Sequence, residues 1–288
     1  MTLRVGRIPY VNCYPVYGAI DRGVVSIGAE LVDGVPTALN RQMAQGQLDI
    51  SVISAVEYAR DATRYLLLPD LAISCDGAVR SVVLFSCRPA KELGGRRVLV
   101  SRSSMTSVAL LELLFEHLWD SKPIFVPADA EIADIGGFGD VDHDARLVIG
   151  DAALCLGSRL SHPDTHPDSS LSAAYCYAYD LGTEWKRWTG LPFVFAVWVA
   201  QRNAPVSDAM AVHAGLLASR NWGVEHLDVL AAQAALATGV PRADCVEYLS
   251  GLDYRLSYEH LAGLTEFFRR LVASGRVPNG SLAFLPAA

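Results

Sequence analysis

Short apolar runs and amphipathic segments alternate along the first third of the chain. Leu3–Ile8 alternates polar and apolar positions as a strand does, and Leu48–Ile53 and Val82–Ser86 are further β-forming runs. Helical patterns occupy residues 16–22 and 37–45 between them. Strands that alternate with helices are typical of a mostly parallel sheet covered by helices. The pattern therefore predicts an α/β fold.

A second series of the same kind follows the turn at Gly94-Gly95. Its predicted elements are strands at 97–100, 123–126 and 147–149 and a helix over 106–119. The residues after Pro205 show only helical patterns, which we expect to complete the first series. Two series of this length predict two lobes, each with its own sheet.

Two strongly apolar β runs mark where the chain would pass between the lobes. Leu191–Ala200 mirrors Val82–Ser86, and we interpret both as hinge strands. Lobe one would then contain residues 1–85 and 196–288, and lobe two would be inserted as residues 86–195. Ligands of two-lobed α/β proteins bind in the cleft, at strand ends and helix N-termini.

Composition and charge limit the classes of molecule that we expect the protein to bind. Apolar residues make up 51% of the chain and charged residues 19%, as in a well-buried globular protein. The net charge is −7 and no run of Lys or Arg is longer than two residues, so we expect neither nucleic acid nor a membrane as a partner. The negative net charge does not exclude a small anionic ligand, because backbone amides can make one pocket locally positive.

The cysteines and the N-terminal residues bear on cofactors and compartment. Six cysteines are scattered without a CxxC pair, which disfavours a zinc or redox site. The first eight residues carry charges inside a strand pattern, unlike the unbroken apolar stretch of a signal peptide. No apolar run approaches the ~20 residues of a membrane span. We therefore expect a soluble, cytoplasmic protein with reduced thiols and with no metal or cofactor.

A polar side chain follows the first predicted strand. Asn12 lies between Tyr10 and Tyr14, and its amide offers both a donor and an acceptor to a hydroxyl or a carboxylate. The alternative is an Asx-turn before Pro15, in which the side chain bonds only to its own backbone.

Hydroxyl side chains cluster where the helix predicted over 106–119 begins. Ser103, Ser104, Thr106 and Ser107 follow a strand directly. Hydroxyls beside the free amides of a helix N-terminus form an anion site suited to a carboxylate. The alternative is ordinary helix capping, which needs only one of these residues.

Polar residues also follow two other predicted strands directly, where the next helix begins. Asp151 comes after the strand at 147–149, and Ser54 and Glu57 follow the strand Leu48–Ile53. Each has a simpler explanation, since Asp151 can cap its helix and Ser54 with Glu57 can form a capping box.

Two residues precede the first hinge strand. Arg80 offers a positive charge for a carboxylate, and Ser81 is placed near the floor of the cleft. Because neighbouring residues of a strand face opposite ways, only one of the two side chains can point into the cleft.

Several motifs, in this order, resemble the chorismate dehydratase family of the futalosine route to menaquinone. The matching segments are 4–15, 34–36, 46–49, 54–59, 67–71, 81–86, 104–107, 149–151, 179–185 and 189–198. The resemblance implies a two-lobed fold similar to type II periplasmic binding proteins, with a mixed sheet and flanking helices in each lobe and two hinge strands. It also implies the elimination of water from chorismate to give 3-[(1-carboxyvinyl)oxy]benzoate, without a cofactor.

The resemblance assigns roles to the candidate residues. Asn12 and Ser81 match the positions that look catalytic in this family, Asn12 for the leaving hydroxyl or a carboxylate and Ser81 for the developing charge. The remaining candidates would bind the two carboxylates and the ring of chorismate: Tyr10, Ser54, Glu57, Arg80, Ser103, Ser104, Thr106, Ser107 and Asp151.

Three other functions share parts of this pattern. A solute-binding protein has the same fold without the chemistry, but it is normally exported. The dihydroxynaphthoate-forming enzyme of the same pathway resembles this fold and shares the segment Thr189–Phe193. The loop Tyr10–Pro15 and the strand Ser81–Ser86 favour the dehydratase. A ligand sensor would need a further partner domain.

Overall fold

Ten strands and ten α-helices are distinguished in a computed structural model that describes residues 2–102, 104–128, 142–161 and 175–286. The strands are β1 (Arg4–Arg7), β2 (Glu30–Asp33), β3 (Ile50–Ser54), β4 (Tyr65–Cys75), β5 (Val82–Ser86), β6 (Arg97–Ser101), β7 (Ile124–Ala128), β8 (Ala145–Ile149), β9 (Tyr177–Asp180) and β10 (Phe193–Gln201).

The helices follow the strands in the alternating order that the pattern predicts, and the last four are consecutive. They are α1 (Tyr14–Asp21), α2 (Pro36–Ala44), α3 (Ala55–Arg60), α4 (Met105–His117), α5 (Gly150–Ser161), α6 (Leu181–Thr189), α7 (Val206–Glu225), α8 (Leu227–Thr238), α9 (Arg242–Gly251) and α10 (Tyr258–Ala273). A short 3-10 turn, Val11–Cys13, lies between β1 and α1.

The strands form two five-stranded sheets, one in each lobe. The first has the order β2-β1-β3-β10-β4 and the second the order β7-β6-β8-β5-β9. In each sheet four strands run in one direction, while β10 runs antiparallel to its neighbours β3 and β4, and β5 runs antiparallel to its neighbours β8 and β9. Both sheets are therefore mixed, as predicted.

The chain crosses between the lobes a few residues earlier than the sequence pattern indicates. Val82–Ser86 pairs only with strands of the second sheet, so it belongs to lobe two. The strand β10 begins at Phe193 and pairs only within the first sheet. Residues 76–81 and 181–192 therefore connect the two sheets and are called the crossings below. The predicted boundaries at 85/86 and 195/196 fall within β5 and β10.

The inner strands are apolar because both of their faces are covered. Every residue of β3 and of β8 is buried, as expected for strands enclosed between helices. The helix α7 packs on α1, where Gly223 allows the close contact: a Cβ there would lie 2.1 Å from the carbonyl oxygen of Pro15.

Buried hydrogen bonds hold the start of α1 against the first sheet. The indole of Trp198 donates to the hydroxyl of Tyr17 (3.0 Å), which donates to the carbonyl of Gly6 (3.2 Å). Because unpaired polar groups are costly in a core, this chain gives α1 one preferred position on β1 and β10. It thereby fixes the turn that carries Asn12.

Candidate functional site

A cavity of about 80 Å³ lies between the lobes, where β1 and β3 of lobe one end opposite β5, β8 and the start of α4. Parallel strands bring their carboxyl ends to one edge of a sheet, which is why loops distant in sequence meet here. Seven of the predicted site residues line it: Tyr10, Asn12, Ser54, Ser81, Ser104, Thr106 and Ser107.

Asn12 presents an unused acceptor to this cavity. It is the middle residue of the 3-10 turn Val11–Cys13. Its Oδ1 atom is buried and has no hydrogen-bond partner among the residues that the structure describes, so the side chain does not form the alternative Asx-turn. A buried acceptor of this kind is uncommon in native proteins and is normally satisfied by a ligand or water.

Tyr10 brings the two lobes into contact beside Asn12. A Cβ placed on Gly150, at the end of β8, would lie 3.2 Å from the Tyr10 ring. Gly150 also has a φ of +62°, a conformation that side chains other than glycine adopt at a cost. Glycine is thus required here both by the backbone and by the close approach of the ring.

Ser81 lies on the cleft floor, and Arg80 does not. The Ser81 side chain is 2% exposed and its hydroxyl donates to the carbonyl of Val79 (3.3 Å). The Arg80 side chain instead lies on the far side of the crossing, where it forms an ion pair with Glu247. Of the two residues, Ser81 therefore lines this cavity and Arg80 does not, and a contact of Arg80 with substrate stays a prediction.

Tyr248 of α9 lies behind Ser81. Its hydroxyl is buried and has no partner of ordinary hydrogen-bond geometry within the described part of the chain. Burial raises the pKa of Tyr248 well above its usual value, and the neighbouring Ser81 hydroxyl opposes this rise. The phenol is thus a neutral group placed to hydrogen-bond the Ser81 hydroxyl after a small movement.

The N-termini of α3 and α4 face each other across the cavity. The backbone N–H of Val56 donates to Oγ1 of Thr106 in the other lobe (3.2 Å). Ser104 caps α4 by accepting from the N–H of Ser107 (3.2 Å), so capping explains Ser104. Ser103 lies outside the described residues. Two helix N-termini that converge on one cavity favour a negatively charged group between them.

Asn40 organises Ser54 at the end of β3. The Asn40 amide donates to the Ser54 hydroxyl (3.1 Å) and accepts from the Ser54 backbone N–H (3.1 Å). Its Nδ2 atom also lies 3.2 Å from the sulfur of Met105 in lobe two. Ser54 makes no capping bond to its helix, and its hydroxyl is held at the cavity wall instead.

Glu57 does not reach the cavity. Its carboxylate accepts a long hydrogen bond from the Tyr65 hydroxyl (3.5 Å), and burial raises its pKa. Tyr65 begins β4, at the end of the sheet remote from the cleft, where it pairs with Gln201. The capping box with Ser54 is not formed. Glu57 is not among the residues that line the cavity, and its contact with substrate stays a prediction.

Asp151 joins the lobes instead of lining the cavity or capping α5. Its Oδ1 atom accepts a hydrogen bond from the backbone N–H of Val11 (3.0 Å). Burial raises the pKa of Asp151 to about 6, and the bond from Val11 opposes the rise. Asp151 thus lies in the first turn of α5 and binds the turn that carries Asn12, while its contact with substrate stays a prediction.

Sequence reasoning did not single out Asn40, Gly150, Asp180 and Tyr248. Asn40 and Tyr248 lie within helices, where a polar residue has many ordinary explanations. Asp180 precedes the helical pattern of α6 and could have been recognised as a cap. Its contacts with the first crossing become visible only in three dimensions.

Neither a cluster of metal ligands nor a membrane-spanning helix is found among the described residues. Within the ranges that the structure describes, no three His, Cys, Asp or Glu side chains are grouped as metal ligands. None of the helices there combines the length and the apolar character that a membrane crossing requires.

Comparison with known families decides the affiliation. A family model described as menaquinone biosynthesis matches residues 3–273. The chain belongs to this family. A chorismate dehydratase of Thermus thermophilus is 30% identical over 246 residues, which cover 85% of this chain and 87% of that protein. A second one, of Campylobacter jejuni, is 27% identical over 195 residues, covering 66% of this chain and 64% of that protein. The resemblance inferred from the motifs is confirmed.

Comparison with solved structures identifies the fold. The alkanesulfonate-binding protein SsuA of Xanthomonas axonopodis superimposes with a TM-score of 0.65 at 15% identity, over 98% of this chain and 96% of that one. Such a low identity supports the fold alone. The predicted fold, similar to that of periplasmic binding proteins, is confirmed for this member of the menaquinone biosynthesis family.

Proposed function

We propose that this protein is a chorismate dehydratase, a hydro-lyase that converts chorismate into 3-[(1-carboxyvinyl)oxy]benzoate and water. The observation that carries the proposal is the unpartnered Oδ1 of Asn12, which faces the same cavity as Ser81. Curated relatives with this activity and the family match over residues 3–273 support the same reading.

The reaction breaks two bonds of the ring. A base removes the hydrogen from the ring carbon that bears the enolpyruvyl ether, and the hydroxyl on the adjacent carbon leaves with its electron pair. The proton and the hydroxide together make water, and the ring becomes aromatic. No oxidation or reduction takes place, so neither an electron donor nor an electron acceptor is required.

Asn12 and Ser81 are suited to orientation and charge stabilisation rather than to proton abstraction. An amide is not a base at neutral pH. A serine hydroxyl is too weakly acidic to lose its proton without help, so it does not act as a base either. Asn12 would position the leaving hydroxyl, and the Ser81 hydroxyl would donate to the charge that develops on the ring system. The enolpyruvyl carboxylate of the substrate, held close to the ring hydrogen, would then accept the proton.

The N-termini of α3 and α4 provide the sites for the carboxylates. The N–H of Val56 and the hydroxyls of Thr106 and Ser107 lie at these termini. In the closed arrangement the N–H of Val56 donates to Thr106. A bound substrate carboxylate would replace Thr106 as the acceptor. A cavity of about 80 Å³ is well below the roughly 300 Å³ of a typical small-molecule site, so the lobes must separate for substrate to enter.

The test is turnover by the purified protein with matched variants. Chorismate consumption and the growth of an aromatic absorbance are followed for the unaltered chain, Asn12→Ala and Ser81→Ala. We expect product from the unaltered chain and loss of turnover in both variants with retained folding. Tight binding of chorismate without product would favour a solute-binding function, and full turnover by Asn12→Ala would remove Asn12 from the mechanism.

The cellular setting is part of the same proposal. We place the protein in the cytoplasm and in the futalosine route, as the resemblance implies. All six cysteines, each within the described ranges, are free thiols, which suits a reducing compartment.

A further inference from the structure

One carboxylate connects the two crossings between the lobes. Asp180 ends β9 and caps α6, and its Oδ1 atom accepts from the N–H groups of Thr183 (3.0 Å) and Val79 (3.0 Å). Its Oδ2 atom accepts from the N–H of Arg80 (2.6 Å). Both oxygens therefore bind the crossing that ends at Ser81.

The backbone of this crossing has a shape that needs support. The N–H of Ser81 donates to the carbonyl of Val79 (2.7 Å), which closes a three-residue turn around Arg80. Arg80 has a φ of +58°, in the left-handed region that is unfavourable for a residue with a Cβ. A γ-turn with a positive φ at its centre is the rarer and strained form. It persists only where surrounding contacts hold it.

Neighbouring contacts fix the two sides of the turn. A Cβ on Gly182 would lie 2.4 Å from the carbonyl oxygen of Gly77, so α6 packs directly against the crossing. On the other side, the N–H of Gly150 donates to the carbonyl of Ser81 (2.8 Å). The position of the Ser81 hydroxyl is thus set by a backbone held between Asp180 and β8.

We infer that Asp180 is a positioning residue for the dehydration, which acts by holding the N–H groups of Val79 and Arg80 and thereby aims the Ser81 hydroxyl into the cleft. The inference rests on the proposed function of Ser81. Asp180 itself does not line the cavity, so it acts through Ser81.

The decisive variant is Asp180→Asn. The amide oxygen keeps the bonds of one carboxylate oxygen, but the NH₂ group faces a backbone donor and cannot accept from it. We expect kcat to fall about tenfold because a buried N–H loses its acceptor, with KM changed less than about twofold. Ser81→Ala should lower kcat by about 100-fold, as the loss of one donor to developing charge does in other enzymes.

A double-mutant cycle separates positioning from general stability. If Asp180 acts through Ser81, adding Asp180→Asn to Ser81→Ala lowers kcat by less than about twofold more. Adding Arg80→Gly to Asp180→Asn should recover at least about threefold in kcat, since glycine adopts a positive φ without strain. Ser257→Ala removes the cap of α10 at a residue that does not line the cavity. It is the matched control and should leave kcat unchanged.

The outcomes distinguish the two proposals. Suppose that the unaltered chain turns over chorismate normally. The role of Asp180 alone is then overturned if the effects of Asp180→Asn and Ser81→Ala are additive, or if Arg80→Gly gives no recovery. Unchanged kcat in Asp180→Asn does the same. No turnover of chorismate by the unaltered chain overturns the proposed function and this role with it.

Discussion

The burial of Asp151, beside the turn that carries Asn12, makes the stability of the folded protein depend on pH. Burial raises the pKa of Asp151 from 3.8 to about 6, which is about two units, or about 3 kcal/mol at ~1.4 kcal/mol per unit. For an acid whose pKa is higher in the folded state, the folded protein binds more protons than the unfolded chain between these two values. Stability is therefore lost as pH rises from about 4 to about 6.

Asp151→Asn removes this titration and keeps an oxygen that accepts from the N–H of Val11. We expect its unfolding free energy, relative to the unaltered chain, to rise by about 2–3 kcal/mol between pH 4 and pH 7. Urea unfolding followed by tryptophan fluorescence at four or five pH values measures the difference. Asp208→Asn makes the same change at an exposed position and serves as the control.

The result that would refute the reasoning is specific. If the unaltered chain and Asp151→Asn show parallel dependences of stability on pH, the carboxylate is not buried between the lobes. A difference that grows as pH falls would mean that the bond from Val11 lowers the pKa of Asp151 more than burial raises it. The first outcome would remove Asp151 as a buried connection between the lobes. The second would keep the bond from Val11 but would refute the claim that burial sets the pKa of Asp151.

Three further substitutions probe the cavity wall. Asn12→Ala should lower kcat by about 100-fold in a turnover assay with little change in melting temperature, because its Oδ1 has no protein partner in the described structure; a marked loss of stability would contradict this. Thr106→Val should raise KM for chorismate several-fold, since a hydroxyl at the α4 N-terminus is lost, and an unchanged KM would exclude it from carboxylate binding. Gly150→Ala should lower the free energy of unfolding by about 1–2 kcal/mol, because alanine is disfavoured at a positive φ. It should also lower turnover, because the new Cβ would contact the Tyr10 ring. Calorimetry tests the first effect and kinetics on the same preparation test the second.

The sequence patterns predict the buried elements of the fold well. Val82–Ser86 is a strand with the predicted bounds, and the last helix begins after Ser257 as predicted. Such elements are recognised because their apolar residues recur with the period of a strand or a helix. The pairing of a strand is a long-range property, however, and the local pattern does not reveal that Val82–Ser86 pairs with β8 and β9.

The candidate site was predictable by position more than by orientation. Asn12 and Ser81 follow or precede apolar strands, and both reach the cavity. Arg80 and Glu57 satisfy the same positional rule but point elsewhere. Arg80, whose φ is positive, pairs with Glu247, and Glu57 contacts Tyr65. Backbone reversals of this kind depend on distant partners such as Asp180, which local sequence does not reveal.

The central claim is tested most directly by following chorismate and the purified protein together by proton NMR, with a chelator present. The account predicts that the diene signals of chorismate disappear while the aromatic signals of 3-[(1-carboxyvinyl)oxy]benzoate appear in a one-to-one ratio. Asn12→Ala at the same concentration should leave the spectrum of chorismate almost unchanged. Chorismate that is bound but intact after prolonged incubation with the unaltered protein would contradict the account.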